Sequence, residues 1–334
     1  MKIDFIASNQ GLSLGSYRIW VRDLSNTLTE LGHDSLIHPD ISHAREDSVI
    51  ILAKSDYQRV DYKALQGRIV GAINISRDHG DFPLDFVIVG SPEEKISLLE
   101  KYENVFIVNL YERMYEKSIG KEHQQKDAIN IGYHGSYIHL SKLAQGFVQA
   151  FKKLSQDFDL HFTTITNNSK ISDEMLSLLG LAQDSFTSKG WDFESVVEDI
   201  KEFDIGIVPN IIDQTLISPE IRKQNFINNG INTTDFVYRF KNKSNPGRPF
   251  VFYQLGIPVI ADLTPSNMPM LFDEECGYIA HCPNSWYYTL KRLTNFEERN
   301  RVSKAALDRF RSLYDPHKDA EKLIENIKNI LENR

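Results

Sequence analysis

The sequence predicts an α/β protein made of two successive parallel-sheet units, on three observations. Short β-branched runs alternate with helix-length segments, the alternation halts and restarts once, and the restart follows a polar, charged stretch over residues 111–127. Candidate strands of the first unit cover residues 2–7, 35–38, 49–53, 68–75, 86–90 and 105–109. Between the first two, Ile19, Trp20, Leu24, Leu28 and Leu31 recur at helical spacing and stop at Gly32, as a helix cap would. Ser91-Pro92-Glu93-Glu94 opens the next helix with a serine cap, proline at the first helical position and acid in the first turn. In the second unit, residues 129–133, 160–165 and 205–209 read as strands and residues 141–154 and 193–203 as helices. The Asn-rich stretch 210–242 reads as a functional loop or as an insertion with a short helix of its own. Residues 316–334 carry Ala320, Leu323, Ile324, Ile327, Ile330 and Leu331 at amphipathic helical spacing.

Composition narrows the function classes. The chain has 334 residues, enough for two ordinary domains, and a formal net charge of -8, which removes any overall electrostatic drive toward nucleic acid or an anionic membrane. Two cysteines, Cys276 and Cys282, are too few for a disulfide framework or a zinc site. The amino terminus enters a strand at once, without the apolar run of a signal peptide, and no stretch has membrane-spanning length, so residence in the cytoplasm is expected.

The most informative segment is Lys243-Ser244-Asn245-Pro246-Gly247-Arg248. A basic turn opens an apolar helix, Gly256 stops it, and the strand Val259-Ile260-Ala261 follows. Amides at a helix start lack intrahelical partners and carry the positive end of the helix dipole, so Lys243 and Arg248 beside them form a phosphate-binding corner. Two solvated basic residues in an ordinary connection is the competing reading.

Several segments together resemble the GT-B glycosyltransferases, in particular the large group related to family 4. The resemblance covers most of the chain. Gly11-Leu12-Ser13-Leu14-Gly15-Ser16-Tyr17-Arg18 and Leu31-Gly32-His33 look like that family's opening glycine loop and helix end. Asp85-Phe86-Val87-Ile88-Val89-Gly90-Ser91 is similar to its late first-domain strand, and Gly132-Tyr133-His134-Gly135-Ser136 to the strand and turn that open its second domain. Phe203-Asp204-Ile205-Gly206-Ile207-Val208-Pro209 and Gly256-Ile257-Pro258-Val259-Ile260-Ala261 resemble its later strands. Where many family 4 enzymes carry two glutamates eight positions apart, this chain has Lys243 and Val251, a variant similar to some bacterial surface-polysaccharide transferases.

The resemblance implies two Rossmann-like domains facing across a cleft. Residues 1–120, with the helix 316–334 packing back, would form the acceptor-side domain, and residues 127–315 the nucleotide-sugar-binding domain. It implies a hexosyltransferase, retaining or inverting, that serves a glycan or lipid-linked acceptor, with nucleic acid excluded and contact at the inner membrane face left open. A nucleotide-sugar 2-epimerase and a non-catalytic nucleotide- or sugar-binding subunit are the alternatives. Breaking the sugar–phosphate bond needs stabilisation of the leaving phosphate, which cations and backbone amides supply without a metal. Expected donor-binding residues are therefore Lys243, Ser244, Asn245, Gly247 and Arg248, with Gly135 and Ser136 in the facing turn, Lys142 on the next helix and Glu274 near ribose or sugar hydroxyls. Lys142 reads equally as a solvated lysine, and Glu274 as a helix cap. Gly15, Ser16, Tyr17 and Arg18 would shape the cleft loop, Arg18 alternatively making a surface ion pair. Asp78, His79 and Asp81 follow the strand 68–75 at a carboxyl end, where α/β sheets place ligands, and form the expected acid/base locus. Ordinary turn chemistry competes there. Asp157-Phe158-Asp159 spells a D-x-D motif but reads as a helix-to-strand turn, so neither a metal nor another cofactor is expected.

Overall fold

A computed structural model describes residues 1–54, 56–75, 82–99, 101–136, 145–167, 180, 183–209 and 246–334. The chain divides into two compact units, Met1–Glu116 with Leu313–Arg334, and Lys117–Ser312.

In the first unit six parallel strands, β1 (Lys2–Ile6), β2 (Asp34–His38), β3 (Val49–Leu52), β4 (Val70–Ile73), β5 (Phe86–Val89) and β6 (Val105–Ile107), stand in the order β2-β1-β3-β4-β5-β6. Strands β3, β4 and β5 are buried at every position, as expected of a parallel sheet covered on both faces. After β1 the chain enters one helical run: a short turn α1 (Gly15–Tyr17), a wide π-type turn over Arg18–Asp23, and α2 (Leu24–Glu30). Leu24 and Leu28 face the core, and Gly32, at φ +82°, closes the run in the left-handed conformation that glycine adopts without strain. Helix α3 (Pro92–Leu98) starts as its sequence dictates: Ser91 Oγ accepts the Glu94 N–H at 3.2 Å, while Glu94 Oε2 takes the Gly90 N–H at 2.9 Å.

In the second unit β7 (Ala128–Gly135), β8 (Asp159–Thr166), β9 (Phe186–Gly190), β10 (Ile205–Val208), β11 (Val259–Ala261) and β12 (Tyr278–Ile279) form a parallel sheet ordered β12-β11-β10-β7-β8-β9. The chain runs outward one way from β7 and the other way from β10, so these two central neighbours mark a topological switch point. Helix α4 (Gln145–Leu154) packs Phe147, Phe151 and Leu154 beneath β7 and β8, and α5 (Val196–Lys201) precedes β10. Helix α6 (Gly247–Leu255) is buried from Pro249 to Leu255, mostly through apolar side chains with Gln254 the polar exception. Gly256, at φ +67°, ends it against the backbone of Gly120 and Lys121, where an added Cβ would lie 2.7 Å from the Lys121 nitrogen. A short helix α7 (Met268–Leu271), then α8 (Pro283–Arg292) and α9 (Phe296–Leu313), follow. The buried Arg299 guanidinium donates to the carbonyls of Leu293, Thr294 and Gln124 at 2.8–3.1 Å, satisfying carbonyls at the end of α8. Helix α10 (Pro316–Glu332) belongs to the first unit, burying Ala320, Leu323, Ile324 and Ile327 while Asp319 Oδ2 accepts two bonds from Asn109 at 2.9 Å.

The amino-terminal edge of the second sheet is held by Asp204, which is 1% exposed. Its carboxylate accepts from Lys121 Nζ at 3.1 Å, Lys126 Nζ at 2.9 Å and the Asn130 N–H at 3.0 Å, and the His123 ring lies 3.9 Å away. Burial alone would raise its pKa. The surrounding donors and the Lys121 charge outweigh burial and hold the carboxyl well below the usual carboxylate range.

Candidate functional site

Ligands of open α/β sheets bind outside the carboxyl ends of the strands at the switch point, which in the second unit means the ends of β7 and β10. Strand β7 ends at Gly135, and Ser136 beyond it is exposed. Gly135 has φ +136°, and a Cβ there would fall 2.9 Å from Arg248 Cδ and 3.0 Å from Tyr133 Oη, so both conformation and packing require glycine. The Arg248 guanidinium donates through Nη1 to the Pro209 carbonyl at 3.2 Å and to Tyr133 Oη at 3.4 Å. The same guanidinium carbon lies 5.9 Å from the centre of the Tyr133 ring. Tyr133 Oη donates to the Ser136 carbonyl at 3.0 Å, which fixes the turn after β7. Gly135, Ser136, Gly247 and Arg248 are thus brought together at the end of the two central strands.

Helix α6 delivers Arg248 to this point. In its first turn Pro249 has no N–H, so the amide donors there are those of Gly247 and Arg248. His134 serves the scaffold: its Nε2–H donates to the Arg248 carbonyl at 3.0 Å, and its ring meets Phe252 edge-on at 4.8 Å. Burial of Tyr133 raises its phenol pKa, the Arg248 charge opposing, so Tyr133 stays a neutral hydrogen-bonding group.

A neighbouring segment was missed in the sequence. Strand β11 ends at Ala261, and Asp262, Thr264, Ser266 and Asn267 behind it are all buried polar residues. Asp262 Oδ1 accepts the Leu263 N–H at 2.8 Å, and Asn267 Nδ2 donates to the Asp262 carbonyl at 3.0 Å. The signal was present: Thr264-Pro265-Ser266-Asn267 is helix-start chemistry directly after a strand.

The remaining expected residues divide three ways. Lys142, Lys243, Ser244 and Asn245, and the acid/base candidates Asp78, His79 and Asp81, lie outside the described residues, as does the whole Asn-rich stretch. Just ahead of residues 78–81, Asn74 holds φ +47°, a left-handed turn at the end of β4 of the kind that clusters at functional sites. Glu274 stands apart from Gly135 and Arg248. It precedes β12, on the amino-terminal side of the sheet, and pairs with Arg292 at 2.8 Å, while its N–H donates to the Leu271 carbonyl at the end of α7. The D-x-D motif likewise lies where β8 begins, at the opposite edge from the site.

In the first unit the switch point lies between β1 and β3, and Gly15, Ser16 and Tyr17 form the helix start that follows β1. Arg18 differs from expectation. It is 5% exposed and its ion pair is buried rather than at the surface: Nη2 donates to Glu112 Oε2 at 2.8 Å, and Nη1 donates to the Leu12 carbonyl at 2.6 Å. Asp23, at the end of the wide turn, accepts the Arg113 N–H at 3.1 Å, and burial pushes its carboxyl up to about 6.

Comparison with solved structures decides the fold. A sucrose-phosphate synthase from Thermosynechococcus elongatus superposes with a TM-score of 0.64 at 11% identity, covering 100% of both chains. A glycosyltransferase from Rickettsia africae gives 0.64 at 13% identity, covering 100% of this chain and 99% of its own. This is the GT-B fold. Anabaena HepE, solved with UDP, shares the fold at a TM-score of 0.60 and 11% identity, over 98% of this chain and 100% of HepE. The chain spans only 54% of TarM and 60% of the pneumococcal O-GlcNAc transferase GtfA, which it also matches. No family model and no curated protein matches the sequence. Among the described residues, no helix is long and apolar enough to cross a membrane, and no group of three or more His, Cys, Asp or Glu side chains is placed to hold a metal ion.

Proposed function

We propose that the protein is a glycosyltransferase that moves a sugar from a nucleotide-sugar donor to a hydroxyl of a glycan or lipid-linked acceptor. The observation that carries this reading is Arg248, held by Pro209 and Tyr133 over a glycine turn at the switch point of the second sheet. As the bond between the sugar C1 and the phosphate oxygen breaks, negative charge gathers on the leaving diphosphate. Arg248, the amides of Gly247 and Arg248, and Lys243 would neutralise that charge, so the reaction is proposed to run without a metal. The acceptor hydroxyl oxygen forms the new bond to C1; in an inverting reaction its proton passes to a base at Asp78 or Asp81, with His79 contacting the reacting sugar.

The row of strand ends supports a nucleotide over a simple sugar phosphate. Gly135, Thr166 and Gly190 are in register across β7, β8 and β9. Adjacent strands are about 4.8 Å apart, so the row spans roughly 10 Å, a reach suited to a nucleoside diphosphate with its phosphates at Gly135. At the far end Trp191, half-buried and 6.5 Å from the Phe193 ring, offers the base an aromatic face. The solved complexes of HepE with UDP and of GtfA with UDP and GlcNAc support the same reading.

A thermal-shift panel of UDP, GDP, ADP and dTDP and their sugars tests the proposal. The matching nucleotide at about a hundred times its Kd adds about 2.7 kcal/mol of apparent stability, a rise of several degrees. Trp191→Ala should reduce this shift through the loss of roughly 1–3 kcal/mol of base stacking. A panel in which no nucleotide raises the melting temperature would sink the proposal.

A further inference from the structure

We infer that Arg18 and Glu112 are positioning residues that hold the loop of residues 11–15 in its ligand-facing form from beneath, without touching a ligand. The inference rests on the glycosyltransferase reading for what that loop faces. Arg18 and Glu112 are 5% and 7% exposed, and the guanidinium sends Nε and Nη2 to one carboxylate oxygen, Oε2, at 3.3 and 2.8 Å. Its third donor, Nη1, takes the Leu12 carbonyl at 2.6 Å. A planar fork can serve both partners at once, which the single ammonium of a lysine cannot do with the same geometry.

The loop's other bonds are local. The Gly11 N–H donates to Asn9 Oδ1, the Leu14 N–H to the Gly11 carbonyl, and the Tyr17 and Arg18 N–H groups to the Leu14 carbonyl. Those bonds shape the loop, while Arg18 ties it to the body of the unit. Leu12 and Leu14 are 37% and 39% exposed, so apolar burial does little to hold the loop in place. The clasp is built at the wide turn Arg18–Asp23, and two more bonds fasten the same helical run to the same strand-exit segment. Trp20 Nε1 donates to the Val108 carbonyl at 3.3 Å, and the Arg113 N–H donates to Asp23 Oδ2 at 3.1 Å. Glu112 stands four residues before the unit's first segment ends at Glu116, so the loop shares one buried ion pair with the segment through which the chain leaves the unit.

The test compares wild type with the double variant Arg18→Met/Glu112→Met, which removes the clasp without leaving a lone buried charge, and with Arg18→Lys. Hydrogen–deuterium exchange reads the amides of residues 11–16, and steady-state kinetics use UDP-, GDP-, ADP- and dTDP-sugars. In the folded double variant, exchange over residues 11–16 should accelerate about tenfold or more while the sheet amides stay protected. Turnover number should fall roughly 10- to 100-fold with KM for the nucleotide sugar held within about threefold, and Arg18→Lys should not restore it. Unchanged exchange in this loop, or faster exchange with an unchanged turnover number, overturns the inference. Faster exchange in a protein whose wild type turns over no nucleotide sugar supports the holding role and overturns the glycosyltransferase reading instead.

Discussion

Arg248→Ala should lower kcat on the nucleotide sugar by about 10²- to 10³-fold, the loss expected when one preorganised donor to a developing oxyanion is removed. The side chain is suited to this because its position is already fixed. Nη1 is bonded to Pro209 and Tyr133, and the Gly135 turn leaves no room for a Cβ between them, so little reorganisation is needed when charge appears on the phosphate. Arg248→Lys should recover only part of the rate, since an ammonium cannot bond Pro209 and Tyr133 and still present a fork to the phosphate. The Arg248→Ala protein should keep its fold, because His134 bonds the backbone carbonyl of residue 248 and that bond survives truncation. Steady-state kinetics beside a melting curve decide the matter: an alanine variant with undiminished turnover would remove Arg248 from the chemistry.

Asp204→Ala should be the most destabilising single change at the strand edges, costing on the order of 3–5 kcal/mol, because it strips a buried anion from between two lysines. Lys121, whose own pKa burial depresses, would be left without its counter-charge, and the Asn130 N–H without an acceptor. For a unit of this size the cost corresponds to a fall of roughly 10 °C in melting temperature. The pH dependence has a definite sign. The folded-state pKa of Asp204 is depressed, so its stabilisation is fully present above the unfolded carboxylate value of about 4 and is lost as pH falls below that toward the folded value. Wild type should therefore lose melting temperature steeply between about pH 4 and pH 2, and the alanine variant should show a shallower slope there. Parallel slopes for the two proteins would show that Asp204 is not the group responsible.

The fold class was legible because a covered parallel sheet writes itself into sequence as short continuous apolar runs. Val49–Leu52 and Phe86–Val89 are such runs, and they are buried on both faces. Strand β9, Phe186–Gly190, was not legible. It is an edge strand, half-buried up to an exposed Gly190, and its sequence FTSKG has no apolar pattern to read. The two-residue β12 is too short to carry any period.

The sequence by itself determined the chemistry available at the end of the second sheet: a basic residue at a helix start and glycines at strand ends. Which of these residues meet was decided only by the tertiary structure, because strand order is a property of long-range pairing. Placing β10 beside β7 brings Arg248 against Gly135, 113 positions away in the chain, and puts Glu274 at the opposite edge. Arg18 makes the same point from the other direction. Read next to Gly15, its side chain belongs to a cleft loop or a surface ion pair, yet burial beside Glu112, 94 positions further along, makes it part of the frame. A charge's role depends on whether folding leaves it in water or surrounds it with partners, and those partners come from segments that local sequence does not record.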